Sequence, residues 1–132
     1  MKRLAVLAVA GWVSVTASAS TSASNWVFIS KDDYLNTLYV DADSISGSGR
    51  YKEAFAKVNL YNVQTDSGLR WDSRTALYRI DCRSKPTQFQ VLSRIAHLNN
   101  RVVHRDSGTY PSWRPVYPGS ISEQMANFIC SH

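Results

Sequence analysis

From Arg50 to Val63 the chain alternates with a period of two. Ala54, Ala56, Val58 and Leu60 fall on one side, and Tyr51, Glu53, Phe55, Lys57, Asn59 and Tyr61 on the other. That pattern predicts a half-buried antiparallel strand with its small apolar side turned inward. A second alternating run, Ser73 to Cys82, places Ala76, Tyr78, Ile80 and Cys82 together, with Leu77, Arg79 and Asp81 facing away. Its last part, Leu77 to Cys82, reads as the strand around which the others are arranged. Asn25 to Ser30, Thr37 to Asp41, Phe89 to Leu98 and Arg101 to Arg105 are shorter runs of strand character.

The breaks between these runs carry turn chemistry. Lys31-Asp32-Asp33, the turn Asp41 to Ile45 with the loop Ser46-Gly47-Ser48-Gly49, Asp66-Ser67-Gly68, Ser84-Lys85-Pro86-Thr87 and Asn99-Asn100 separate them. Five or six strands joined by short turns form a meander. Gly108, Pro111, Pro115 and Pro118 argue against regular structure from Ser107 to Pro118, with Tyr110 and Trp113 expected to pin that loop onto the sheet. Ser120-Ile121-Ser122-Glu123 is a capping box, and Ile121, Met125, Phe128 and Ile129 then share one helical face. The expected fold is α+β: a twisted antiparallel sheet of five to six strands, one C-terminal helix packed across it, and a disulfide tying the two.

The N-terminus sets the compartment. Lys2 and Arg3 precede an apolar run from Leu4 to Val15 and an Ala17-Ser18-Ala19 cleavage pattern, the three parts of a secretory signal. The expected division is a signal peptide over 1–19, a flexible tether over 20–24 and one domain over 25–132. Neither the signal nor any later stretch is long enough to span a bilayer. No cysteine lies near the cleavage site to accept lipid, so the expected product is exported to periplasm or cell surface without a lipid anchor. Two cysteines in an exported chain allow one intramolecular pairing, Cys82 to Cys130; two unpaired buried thiols are the alternative. Closing that loop should stabilise the fold by about 4 kcal/mol.

Removing Lys2 and Arg3 lowers the formal charge from +5 to +3. What remains is uneven: Arg70 onward carries nine basic and four acidic residues. A basic half attracts acidic partners, but no nucleic-acid motif accompanies it and no nucleic-acid partner is expected. Arg70, Trp71 and Arg74 form the candidate partner-binding patch, an aromatic anchor flanked by guanidiniums; an ordinary solvated turn with Trp71 folded back is the plainer reading. His97 and His104 flank the Asn99-Asn100 turn, where a pair could bind metal or act in acid–base chemistry. No third ligand is supplied, and surface histidines are the favoured assignment. Asp41 and Asp43 suggest turn capping, since the glycine and glutamate of a calcium loop are missing. No nucleophile elbow or phosphate loop occurs, and no cofactor or metal is expected.

The order of segments resembles the surface-adhesin protein E family of bacterial exported proteins. The likeness rests on Asn25-Trp26-Val27-Phe28, Leu38-Tyr39-Val40-Asp41 with Ser44-Ile45, and Lys57-Val58-Asn59-Leu60. Tyr78-Arg79-Ile80-Asp81-Cys82, Pro118-Gly119-Ser120 and Phe128-Ile129-Cys130 complete it. The resemblance implies an antiparallel sheet with a C-terminal helix held across it by the disulfide. It also implies a non-enzymatic binding protein, with a host matrix or serum protein such as vitronectin or laminin as partner. The segment matching the family's binding region is Gly68 to Arg74. A soluble periplasmic inhibitor, for instance of lysozyme, is the alternative, and an open sheet edge leaves a homodimer possible.

Overall fold

The computed structural model describes residues 24–107 and 112–132. The expected signal peptide, residues 20–23 of the tether and Tyr110 lie outside the described residues. Six strands follow one another across the sheet in chain order: β1 (Trp26–Lys31), β2 (Thr37–Asp41), β3 (Tyr51–Asp66), β4 (Leu69–Asp81), β5 (Gln88–Leu98) and β6 (Arg101–Asp106). Every neighbouring pair is antiparallel, as short connections between consecutive strands dictate. At the β5–β6 hairpin, Asn99 and Asn100 both adopt positive φ, 51° and 63°. Asparagine tolerates that conformation, and it matches the twist of the flanking strands.

Two expectations are corrected. The proline-rich stretch is not devoid of regular structure, because β7 (Arg114–Pro115) pairs with β5, placing Gln88 opposite Pro115 and Phe89 opposite Arg114. The missing N–H of Pro115 is tolerated because the next amide, Val116, donates to the Thr87 carbonyl at 2.7 Å. A seventh strand is therefore added to the five or six expected. Leu60 also leaves the inward row. Leu60 to Val63 bulge from β3 opposite Asp72 alone, between the pairs Asn59↔Ser73 and Gln64↔Trp71.

Helix α1 (Ile121–Cys130) starts where the capping box placed it: the Ser120 hydroxyl accepts from the Glu123 amide at 3.2 Å. The reciprocal half is replaced, since the Ser120 amide donates to the Tyr117 carbonyl. The helix lies over β1 to β4. Met125, Ala126 and Ile129 meet Leu38, Val40, Ala54, Ala56 and Ile80, with Val116 completing the core. The alanines of β3 have a packing reason: short side chains let the helix approach the sheet closely. Cys82 and Cys130, 48 residues apart in sequence, are joined with their Cα atoms 5.7 Å apart.

Beside that disulfide, Asp81 is buried and its carboxylate accepts from Arg50 Nε at 3.0 Å and Nη2 at 3.0 Å. The Arg83 and Ser84 amides donate to it as well, each at 3.2 Å. The Arg50 hydrogen bonds hold the Asp81 carboxyl below the usual carboxylate range, opposed by burial and helped by the two amides. In the unfolded chain it titrates near its ordinary value of about 3.9. Ionised Asp81 therefore stabilises folding above that value, and the contribution fades as pH falls through the lower folded value. The urea midpoint should therefore drop as pH falls below about 4, and less steeply in Asp81→Asn. Equal acid sensitivity in both proteins would remove Asp81 as the cause.

Candidate functional site

The structure brings Trp71 and Arg74 together and leaves Arg70 apart. Trp71 is 9% exposed, folded back on the sheet. Its indole Nε1 donates to Asp66 Oδ2 at 3.3 Å, and the Arg74 guanidinium lies 4.8 Å from the ring centroid. Residues three apart on a strand ordinarily face opposite ways. Here the β3 bulge opposite Asp72 breaks the alternation, so Trp71 and Arg74 share one cleft with Asp66, Leu69, Arg94, Ala96, His104 and Asp106. Arg94 pairs with Asp106 at 3.0 Å. Arg74 and Arg70 form no salt bridge among the described residues, and Arg70 stands exposed near the β3–β4 turn. Burial pushes the nearby Tyr78 phenol up, with Arg74 and Arg94 pulling it back.

The two histidines are separated by register. Ala96 opposes His104 and His97 opposes Val102, with Val103 bulging between. His104 therefore lines the Trp71 cleft beside Ala96, while His97, the next residue along β5, faces the other side of the sheet. No group of three or more metal-ligating side chains converges among the described residues. Asp41 does cap a turn: its Oδ1 accepts from the Asp43 amide at 3.1 Å and the Asn25 amide at 3.0 Å.

A second surface was not foreseen. The sheet face away from α1 carries an aromatic row in which Phe28 stands edge-on to Tyr39, centroids 5.8 Å apart. Lys57 Nζ lies 4.6 Å from the Trp26 ring centroid, a cation–π contact. Phe28 is 54% exposed there. Further along this face, Tyr51, Glu53 and Arg79 meet Ser46, Gly47 and Trp113 around a cleft of about 480 Å³. Glu53 lies directly opposite Arg79, whose Nε and Nη2 donate to Glu53 Oε1 at 3.0 and 2.8 Å. Trp113 reaches the cleft from the loop before β7, its ring centroid 5.8 Å from that of Tyr51. The expected pinning of that loop by Trp113 is thus seen, through a partner the sequence did not indicate.

A helix-backed antiparallel meander, clasped by one disulfide and with its other face uncovered among the described residues, defines a small α+β domain. The chain belongs to the surface-adhesin protein E family, whose model matches residues 26–131. The match covers every strand and the helix, including both cysteines. Searches among curated proteins and among solved structures return no match. No helix of the described residues is long and apolar enough to cross a membrane.

Proposed function

We propose that this protein is exported by cleavage after its first 19 residues and acts without catalysis, by binding another protein. The observation that carries the proposal is membership of an adhesin family over nearly the whole domain, residues 26–131. A host matrix or serum protein is the partner class. We assign the contact to the Trp71 cleft at Arg74, with Arg70 as a separate exposed contact nearer the β3–β4 turn, two guanidiniums without a carboxylate partner among the described residues. Their five N–H donors each suit the acidic side chains of a partner. Trp71 supports the patch from beneath, holding Arg74 by stacking.

The test is binding of purified protein to immobilised vitronectin and laminin. Replacing Arg70 and Arg74 by alanine should weaken affinity by about tenfold or more, since desolvated arginines are frequent hot spots. Unchanged affinity in a folded variant would remove this patch, and absence of saturable binding to either protein would remove the partner class. A soluble periplasmic inhibitor is the second reading. It draws on the β3–β4 hairpin tip, whose ladder from Gln64 to Trp71 runs past the last registered pairs of β2 and β5. A lysozyme inhibition assay separates the two.

A further inference from the structure

The cleft lined by Ser46, Gly47, Tyr51, Glu53, Arg79 and Trp113 has walls that are held in place. Ser46 and Glu53 exchange backbone hydrogen bonds of 2.9 and 3.0 Å, so the loop lies flat against β3. Gly47 permits this, because a Cβ there would sit 2.5 Å from the Tyr51 carbonyl oxygen. The floor is the Glu53–Arg79 pair, anchored on adjacent central strands. Tyr51 and Trp113, tilted 36° to one another, provide neighbouring aromatic faces. Tyr51 is 46% exposed. The cleft's volume, about 480 Å³, lies within the range of small-molecule sites, about 300–1,000 Å³.

Its chemistry narrows the ligand. Each charge at the cleft is already matched, Arg79 by Glu53 and the adjacent Arg50 by Asp81. An anion or cation entering there would meet a paired opposite charge and a repelling one together, so net charge on a ligand gains little. A purely apolar ligand would bury the ion pair without replacing its water. Hydrogen-bonding capacity nonetheless remains: both Arg79 bonds fall on Glu53 Oε1, leaving Oε2, and they use Nε and Nη2, leaving Nη1. Tyr51 Oη and Trp113 Nε1 form no hydrogen bond within the described residues.

We propose that this cleft binds an uncharged saccharide. A pyranose ring has an apolar C–H face that stacks on the electron-rich face of an aromatic ring. Its rim carries adjacent hydroxyls that donate and accept. One hydroxyl donates to Glu53 Oε2 while its neighbour accepts from Arg79 Nη1, and the C–H face rests on Tyr51 and Trp113. This site is on the opposite side of the sheet from Arg74. It does not depend on the protein-binding proposal, and either can fail alone.

The experiment is ¹⁵N-resolved titration of the purified protein with methyl β-D-glucopyranoside, lactose, maltotriose and N-acetylglucosamine trimer. The Trp113 indole N–H resonance is the reporter. At least one sugar should shift it saturably while leaving the Trp71 indole in place. Trp113→Ala, followed through ring-proton saturation transfer to the sugar, should weaken binding by about three- to tenfold. Glu53→Gln, which keeps the side chain's shape, should weaken it too, and Arg74→Ala should leave it unchanged. The proposal is overturned if none of the four sugars moves the Trp113 resonance. It is equally overturned if a poly-aspartate or poly-arginine peptide moves that resonance at lower concentration than every sugar. Sugar binding that survives both Trp113→Ala and Glu53→Gln overturns it as well.

Discussion

A protein carrying serine at both Cys82 and Cys130 is expected to lose about 4 kcal/mol of stability. The 48-residue separation between the two positions sets that figure, because the cross-link removes loop-closure freedom from the unfolded chain. For a domain of this size the loss lowers the melting temperature by roughly 20 °C. The local consequence is larger at one end than the other. Helix α1 spans ten residues, too few to hold helical structure alone in water. Without the bond, its apolar face is what keeps it on the sheet. Urea denaturation of the serine variant, set beside the parent with and without reductant, checks this. Parent plus reductant should match the variant. A variant melting within a degree or two of the oxidised parent would show that the clasp contributes nothing.

The elements themselves were legible because local chemistry specifies them. The Ala54-Ala56-Val58 row and the Ala76-Ile80-Cys82 row each name their inward face: Ala54, Ala56, Val58, Ile80 and Cys82 belong to or pack against the core beneath the helix, and Ala76 is buried opposite Ala56. Asn99-Asn100 specified its hairpin, and Ser120 the start of α1. Register was not legible, and the β3–β4 pair shows why. Its turn pairs Asp66 with Leu69; carried down the ladder, that register would set Glu53 opposite Cys82. The four-residue bulge opposite one residue shifts it by three, and Glu53 meets Arg79 instead. An odd shift exchanges the faces. Nothing in Leu60 to Val63 announces a bulge, since all four positions read as continued strand.

That single irregularity accounts for most of what was missed at the candidate sites. It carries Trp71 out of solvent and onto the side where Arg74 stacks on it. It also creates the Glu53–Arg79 floor of the cleft on the opposite face. The smaller bulge at Val103 separates His97 from His104 in the same manner. Trp113 was singled out as a pin, but its partner Tyr51 lies 62 positions earlier and belongs to a strand end. No short-range pattern joins them. Family resemblance could supply the architecture without supplying these contacts, because a fold is shared while surface side chains vary on it.

The second large effect should come from the apolar face of the same helix. Ile129 is 0% exposed, among Leu38, Val40, Ala54 and Ile80 in the core cluster. Ile129→Ala removes three carbons from a site walled by strand backbone and a neighbouring disulfide, so collapse around the cavity is restricted. A loss of about 3–4 kcal/mol is expected, and about 1 kcal/mol for Ile129→Val. Val102→Ala, on an edge strand at 44% exposure, should change stability by less than about 0.5 kcal/mol. Combined with the serine pair, Ile129→Ala brings the total loss to about 7 kcal/mol, on the order of the entire stability of a small domain. The combined variant should show no cooperative urea transition at 25 °C, whereas each parent variant retains one. A cost below about 1 kcal/mol for Ile129→Ala, measured with the disulfide intact, would mean that α1 is held by its sulfur alone and not packed on the sheet.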